Sequence, residues 1–301
     1  MARQVNGDVD ATVDALRCIH RDRGWQPGAR RVAVNPNPVT PLAVTTCGRG
    51  EPVIVIHGFT GSAAAMAPLV DRLDGYRCIT VDLVGHGRSP SPADLAPYSV
   101  EAMAATVAGL AADSAEGPCH VVGYSMGARV ALALAEAHPQ VCRSLSLISS
   151  TAGIADAGER AQRRAADDAL AERIGEEGLA RFVERWVALP MWDTLRARLS
   201  AAEWQASIRQ RMACDPVGLA NSLRAAGTGS MTPLWDRLDG IAVPTLVLCG
   251  AVDSKFVAIG REMADLLPHS ELAVLDGIGH AAHLEDPDAC AAAIRQHLAA
   301  H

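Results

Sequence analysis

Apolar positions along the chain follow two periods. Short runs dense in β-branched or apolar residues recur at Val53-Ile54-Val55-Ile56, Cys78-Ile79-Thr80-Val81, His120-Val121-Val122, Leu145-Ser146-Leu147-Ile148, Thr245-Leu246-Val247-Leu248 and Leu272-Ala273-Val274-Leu275. Bounded by Gly, Pro or Asp, they have the pattern of strands buried on both faces. Between them, Ala-rich stretches at 63–73, 99–113, 126–138, 257–267 and 286–299 carry helical spacing. Strand thus alternates with helix, which predicts an α/β fold built on a mostly parallel, doubly wound sheet.

The alternation lapses once. After Ser149 about 85 residues (153–236) pass without a strand-like run, while Leu170, Ile174, Leu179, Phe182, Val183 and Trp186 keep helical spacing. An excursion of that length within an α/β sheet is most economically a helical lid over the carboxyl ends of the strands, where such sheets bind ligands. The expected organisation is a core of 32–152 and 237–301, with the lid at 153–236. Four of the five tryptophans (186, 192, 204 and 235) fall in the lid, either facing a ligand or packing lid helices together. Residues 1–31 form an N-terminal extension with weak helical spacing at Val9, Val13 and Leu16; no function attaches to them.

A chain of 301 residues with 49% hydrophobic and 20% charged positions has the composition of a globular protein. The 27 basic residues against 34 acidic ones give a formal charge of −7, and no run of five Lys/Arg occurs. Nucleic acid and anionic membranes are therefore not expected partners, and any anionic ligand must be met by local arginines. The sequence lacks an apolar stretch of about 18 residues and its start lacks a signal-peptide core, so a cytoplasmic location is expected; a homo-oligomer is left open. Eight scattered cysteines (18, 47, 78, 119, 142, 214, 249 and 290) contain no CxxC pair. Cys78, Cys119 and Cys249 lie in or beside strand-like runs and read as small buried residues rather than disulfide or zinc partners.

The sharpest chemical signal is Gly123-Tyr124-Ser125-Met126-Gly127, which follows a strand and opens an Ala-rich helix. It is a G-x-S-x-G nucleophile elbow in its strand-turn-helix setting: the tight turn excludes flanking side chains and points the Ser125 hydroxyl off the sheet. A serine hydroxyl is inert at neutral pH without a base, so an acid and a histidine should follow in that order. Asp253 and His280 each stand in the loop after a predicted strand; His283 is a close rival three residues on, but the Gly279-His280 pair fits the tight loop better, and His283 reads as a residue at the rim or behind the site. Stabilising an oxyanion needs two backbone donors: the amide of Met126 and, in His57-Gly58-Phe59-Thr60-Gly61, that of Phe59. His57, Asp82 and His86 read as mainly structural loop residues.

On these residues the chain resembles the α/β-hydrolase superfamily from about residue 40 to 300. Within it, the chain is most similar to the menaquinone-pathway synthases that form 2-succinyl-6-hydroxy-2,4-cyclohexadiene-1-carboxylate. The likeness is carried by Gly123-Tyr-Ser-Met-Gly-Ala-Arg129, Cys249-Gly-Ala-Val-Asp-Ser-Lys-Phe256, Gly279-His-Ala-Ala-His283, and the stretch Gly218-Leu-Ala-Asn-Ser-Leu-Arg224 continuing to Gly227-Thr-Gly229. Ala128 departs from the usual second glycine after the elbow serine. The resemblance implies an α/β-hydrolase fold used for lyase chemistry: pyruvate leaves a substrate with several carboxylates, and Ser125, activated by His280 and Asp253, removes a ring proton. It implies Arg129, Tyr124, Arg163, Arg211 and Trp186 as substrate-binding residues, with Arg164 and Arg209 as alternatives in the lid. No metal or organic cofactor is implied. A serine hydrolase, either an esterase or a carbon–carbon bond hydrolase, is the alternative on the same triad; a non-catalytic binding protein is a third. Several pocket cations suit a polycarboxylate, whereas a neutral ester is better served by an apolar pocket.

Overall fold

A computed structural model describes residues 29–31 and 41–301. The helical spacing at Val9, Val13 and Leu16 lies outside the described residues. Eight strands form one sheet: β1 (Ala29–Arg31), β2 (Ala43–Gly48), β3 (Glu51–Ile56), β4 (Tyr76–Val81), β5 (Cys119–Tyr124), β6 (Cys142–Ile148), β7 (Thr245–Gly250) and β8 (Ser270–Leu275). Their order is β1-β2-β4-β3-β5-β6-β7-β8. β1 pairs antiparallel with β2 and β2 with β4; every other pairing is parallel. The six strands expected from apolar runs are all present. β1 and β2 were not anticipated, and β1 occupies the end of the segment read as an extension.

Alternation along the central strands divides the interior in two. Ile54, Ile56, Val121, Leu145, Leu147 and Val247 face one layer; Val53, Val55, Val122, Ile148, Leu246 and Leu248 face the other. The first layer is closed by α2 (Val100–Ser114), α3 (Met126–Ala137) and α8 (Ser254–Leu266), and the second by α1 (Ala67–Val70), α9 (Ala282–Glu285) and α10 (Pro287–Ala300). Each fully buried Val or Ile contributes roughly 1.5–3 kcal/mol, which is why continuous apolar runs mark these strands. Cys78, Cys119 and Cys249 are buried as expected, and all seven described cysteines are free thiols.

Between β6 and β7 the chain forms α4 (Ala157–Trp186), α5 (Asp193–Arg198), α6 (Ala201–Met212) and α7 (Pro216–Ala226). α4 breaks at Gly178, whose φ of 82° and ψ of 163° are not helical. Starts are set by caps: Asp156 accepts from the Glu159 amide, Ser200 and Glu203 form a capping box, and Asp215 accepts from the Gly218 amide ahead of Pro216. Ala171, Ile174, Phe182 and Val183 of α4 pack on Leu219 and Leu223 of α7, a separate apolar cluster. At the neck of the excursion the Leu234 amide donates to the Ala152 carbonyl at 2.8 Å. No described helix is long and apolar enough to cross a membrane.

Candidate active site

Ser125 sits between the end of β5 and the start of α3 with φ 51° and ψ −108°, a conformation rarely adopted by a side-chain-bearing residue. The flanking glycines make it attainable. A Cβ on Gly123 would lie 2.6 Å from the Ala128 Cα, and one on Gly127 would collide with the Ile56 and His57 carbonyls. The Ser125 amide donates to the Ile148 carbonyl at 2.9 Å, anchoring the turn to β6. Ala128 follows the elbow at 0% exposure, so the small residue in place of glycine is accommodated.

The loops after β7 and β8 bring the other two groups to this turn. His280 Nε2 lies 3.2 Å from Ser125 Oγ, and His280 Nδ1 lies 2.6 Å from Asp253 Oδ2. With Nδ1–H donated to the carboxylate, Nε2 carries the lone pair that faces the hydroxyl. The His280 ring is fixed by neighbours: Phe256 at 4.7 Å between centroids, Tyr124 at 5.6 Å and Trp192 at 6.3 Å.

Its backbone is held as firmly. The buried carboxylate of Glu285 accepts from the amides on either side of His280, Gly279 at 2.7 Å and Ala281 at 3.1 Å. The Ser149 hydroxyl donates to the His280 carbonyl at 2.8 Å, from a residue that itself has φ 50°. Neither residue is readable as part of the site from sequence: Glu285 follows the histidine in what reads as an ordinary helix start, and Ser149 ends a strand.

Phe59 and Met126 both line the cavity in front of Ser125, and among the described residues neither backbone amide has a protein acceptor. The amides of Ala128 and Arg129 turn back to the Ser125 carbonyl, which leaves Met126 at the open end of the helix. Nearby, His57 is structural: Nδ1 donates to the Gly58 carbonyl at 2.8 Å and Nε2 accepts from the Leu83 amide at 3.1 Å. Asp82 takes the Ala63 and Arg88 amides at 2.6 and 3.1 Å. Burial, reinforced by His57, pushes His86 down to about 3, and burial followed by repulsion from His280 pushes His283 to the same level. Both are neutral fillers at ordinary pH.

The cavity measures about 360 Å³ and is walled by core and inserted helices together. Tyr124, Arg129, Arg163 and Trp186, expected from sequence, all reach it, as do Thr151, Asp167, Trp192, Ser222 and Lys255, which were not anticipated. Arg129 is 8% exposed; its Nη1 donates to the Ala226 carbonyl at 2.6 Å, and it makes no ion pair among the described residues. Burial, with repulsion from Arg163, pushes its guanidinium down to about 10. Arg163 donates from Nε to both Asp167 oxygens at 2.9 and 3.0 Å. Burial nonetheless pushes the Asp167 carboxyl up against the pull of that arginine.

Arg211 does not line the cavity. It stands one layer behind, its guanidinium 4.8 Å from the centre of the Trp192 ring and its Nη1 bonded to Ser207. It is 5% exposed, whereas Arg209 is on the surface, and Arg164 is spent on the Gly229 carbonyl. Arg211 Nε, Tyr124 Oη, Trp186 Nε1 and Trp192 Nε1 are buried and have no hydrogen-bond partner among the described residues. All four can donate. Of the other tryptophans in the excursion, Trp235 donates to the Gly153 carbonyl and Trp204 lies under Arg196, so only part of that enrichment serves the cavity.

The model of a family described as the alpha/beta hydrolase fold matches residues 51–287. A Bacillus subtilis (strain 168) protein provisionally named 2-succinyl-6-hydroxy-2,4-cyclohexadiene-1-carboxylate synthase is 37% identical over 79% of this chain and 86% of its own length. A Serratia proteamaculans (strain 568) protein with the same synthase name is 31% identical over 85% of this chain and 98% of its own. Among solved structures, MenH from S. aureus superposes with a TM-score of 0.81 at 31% identity, covering 85% of this chain and 98% of that one. A malate-bound thermophilic esterase from Thermogutta terrifontis reaches a TM-score of 0.75 at 26% identity, covering 90% and 99%.

Proposed function

The chain belongs to the α/β-hydrolase fold family, and from its likeness to the synthase-named relatives we propose that it is a carbon–oxygen lyase. It eliminates pyruvate from 2-succinyl-5-enolpyruvyl-6-hydroxy-3-cyclohexene-1-carboxylate to give 2-succinyl-6-hydroxy-2,4-cyclohexadiene-1-carboxylate, the compound for which its relatives are named. Going from a 3-ene to a 2,4-diene requires loss of the proton on ring carbon 2 and of the oxygen substituent on carbon 5. Ser125 Oγ, yielding its own proton to His280 Nε2, takes the carbon-2 proton. The electron pair spreads into the adjacent succinyl ketone as an enolate oxyanion, which the Phe59 and Met126 amides receive. It then shifts through the ring and expels the enolpyruvyl oxygen from carbon 5 as pyruvate enolate, which is protonated to pyruvate. Asp253 holds His280 in the required tautomer and balances the imidazolium. The inserted helices serve as a lid that keeps water from the carbanion.

The observation that carries this reading is the buried guanidinium of Arg129, which makes no ion pair among the described residues, beside the cavity that holds Ser125. The donors of Tyr124, Trp186 and Trp192, unpartnered among the described residues and carried by side chains that line the same cavity, extend the same character. A neutral ester offers such groups only uncharged acceptors, whereas each carboxylate of the substrate carries charge and can accept from several. The likeness to an esterase favours a second reading, a serine hydrolase on the same triad, and the test separates the two. Pyruvate release from the enolpyruvyl substrate is measured beside hydrolysis of a short-chain aryl ester. The proposal requires efficient pyruvate release and its loss in Ser125→Ala with folding intact; efficient ester hydrolysis without pyruvate release overturns it.

A further inference from the structure

At the far edge of the sheet, His297 on α10 is 2% exposed, and its two ring nitrogens are differently placed. Nε2 lies 3.3 Å from the Pro244 carbonyl, a bond it can make only as a donor, so the lone pair of the neutral ring resides on Nδ1. Among the described residues Nδ1 has no hydrogen-bond partner although it is buried. It points toward two exposed residues, with Glu271 Oε1 of β8 at 3.7 Å and the His301 ring at 4.8 Å between centroids. The three side chains each present one ligand atom, and these atoms all lie within 4.8 Å of one another.

We propose that Glu271, His297 and His301 form a binding site for a late first-row divalent cation, Zn²⁺ foremost, remote from the catalytic cavity. Two features separate this arrangement from an ordinary ion pair. His297 already shows the outer-shell device typical of metal-bound histidines, in which a backbone carbonyl takes one N–H and thereby aims the other nitrogen at the ion. His297 and His301 are also four residues apart, which puts two imidazoles on one face of the helical end. Adjacent protonated rings would repel, while two neutral imidazoles and a carboxylate are donors that suit zinc. Tetrahedral zinc with bonds of about 2.0–2.1 Å separates its ligand atoms by roughly 3.4 Å, so small movements of exposed Glu271 and His301 close the site. Water completes the shell. The metal fixes the last turn of α10 to the edge strand and leaves the triad untouched.

The experiment titrates Zn²⁺ into the full chain, dialysed against chelator and free of any polyhistidine tag, with Co²⁺ as spectroscopic substitute. Expected are one equivalent of saturable uptake, intense visible Co²⁺ absorption of a tetrahedral site, and at least about tenfold weaker binding in Glu271→Gln and His301→Ala. Both substituted residues are exposed, so folding survives. Absence of saturable uptake, or uptake unchanged in the His301→Ala variant, overturns the proposal.

Discussion

Replacing Arg129 by alanine separates charge recognition from fold maintenance. Its guanidinium is buried, bonded to the Ala226 carbonyl, and pushed down to about 10 by desolvation and Arg163. In the free enzyme the folded state therefore disfavours this charge by about 3 kcal/mol. Deleting it relieves that cost, while the orphaned carbonyl costs about 1–3 kcal/mol. The two nearly offset, and the melting temperature should move by no more than about 4 °C. With substrate bound the balance reverses, since a carboxylate loses its partner in a closed site. Truncating one member of a buried charge pair costs roughly 2–5 kcal/mol, which corresponds to a fall in kcat/KM of about 30-fold to several thousand-fold. The assay is continuous pyruvate release by coupled reduction, run beside residual hydrolysis of a neutral aryl ester and a thermal melt. A kcat/KM for pyruvate release within threefold of wild type would refute the assignment of Arg129 to substrate charge. A parallel fall in ester hydrolysis would refute it too, placing the effect on the elbow.

Glu285→Ala should lower kcat by at least about tenfold with little change in KM, because the carboxylate holds the amides flanking His280 without reaching the cavity. Glu285→Gln, which keeps one acceptor, should recover part of the loss, and a selective rise in KM would contradict this positioning role. Stability should fall as pH drops below about 6.5, since His86 and His283 are pushed to about 3 by burial while the unfolded chain takes up their protons across that window. Denaturant melts between pH 7 and 4 check this, with the acid limb shallower in a His283→Gln variant that folds. An unfolding free energy flat over the same range would show that these rings find protons or water in the native state.

The sequence disclosed whatever short-range sterics and burial decide. Two-sided burial writes itself as apolar runs, so β3 through β8 were legible, and the elbow was legible because Gly123 and Gly127 have no alternative at their backbone contacts. β2 escaped because, near the edge of the sheet, it is only half buried and reads Ala-Val-Thr-Thr-Cys-Gly, and β1 because three residues carry no period. Asp167 was not anticipated because no local pattern marks it; Gly227 and α7 bury it. Arg211 was expected at the pocket and stands behind Trp192, a difference of one layer that spacing along a helix does not resolve. Glu285 acts through two main-chain amides, and its role exists only once the loop has closed.

The hydrogen bond from Leu234 to Ala152 means that the chain leaves the sheet and returns to it through nearly the same point. A segment attached at a single pinch can be lengthened, shortened or exchanged between relatives without disturbing the register of β6 against β7. Its helices contribute Arg163 and Trp186 to the cavity wall, whereas Ser125, Asp253 and His280 stand in loops that follow strands of the sheet. Evolution can thus redesign what is recognised while inheriting the reactive apparatus intact, and grafting this segment onto a neighbouring esterase is the corresponding laboratory route.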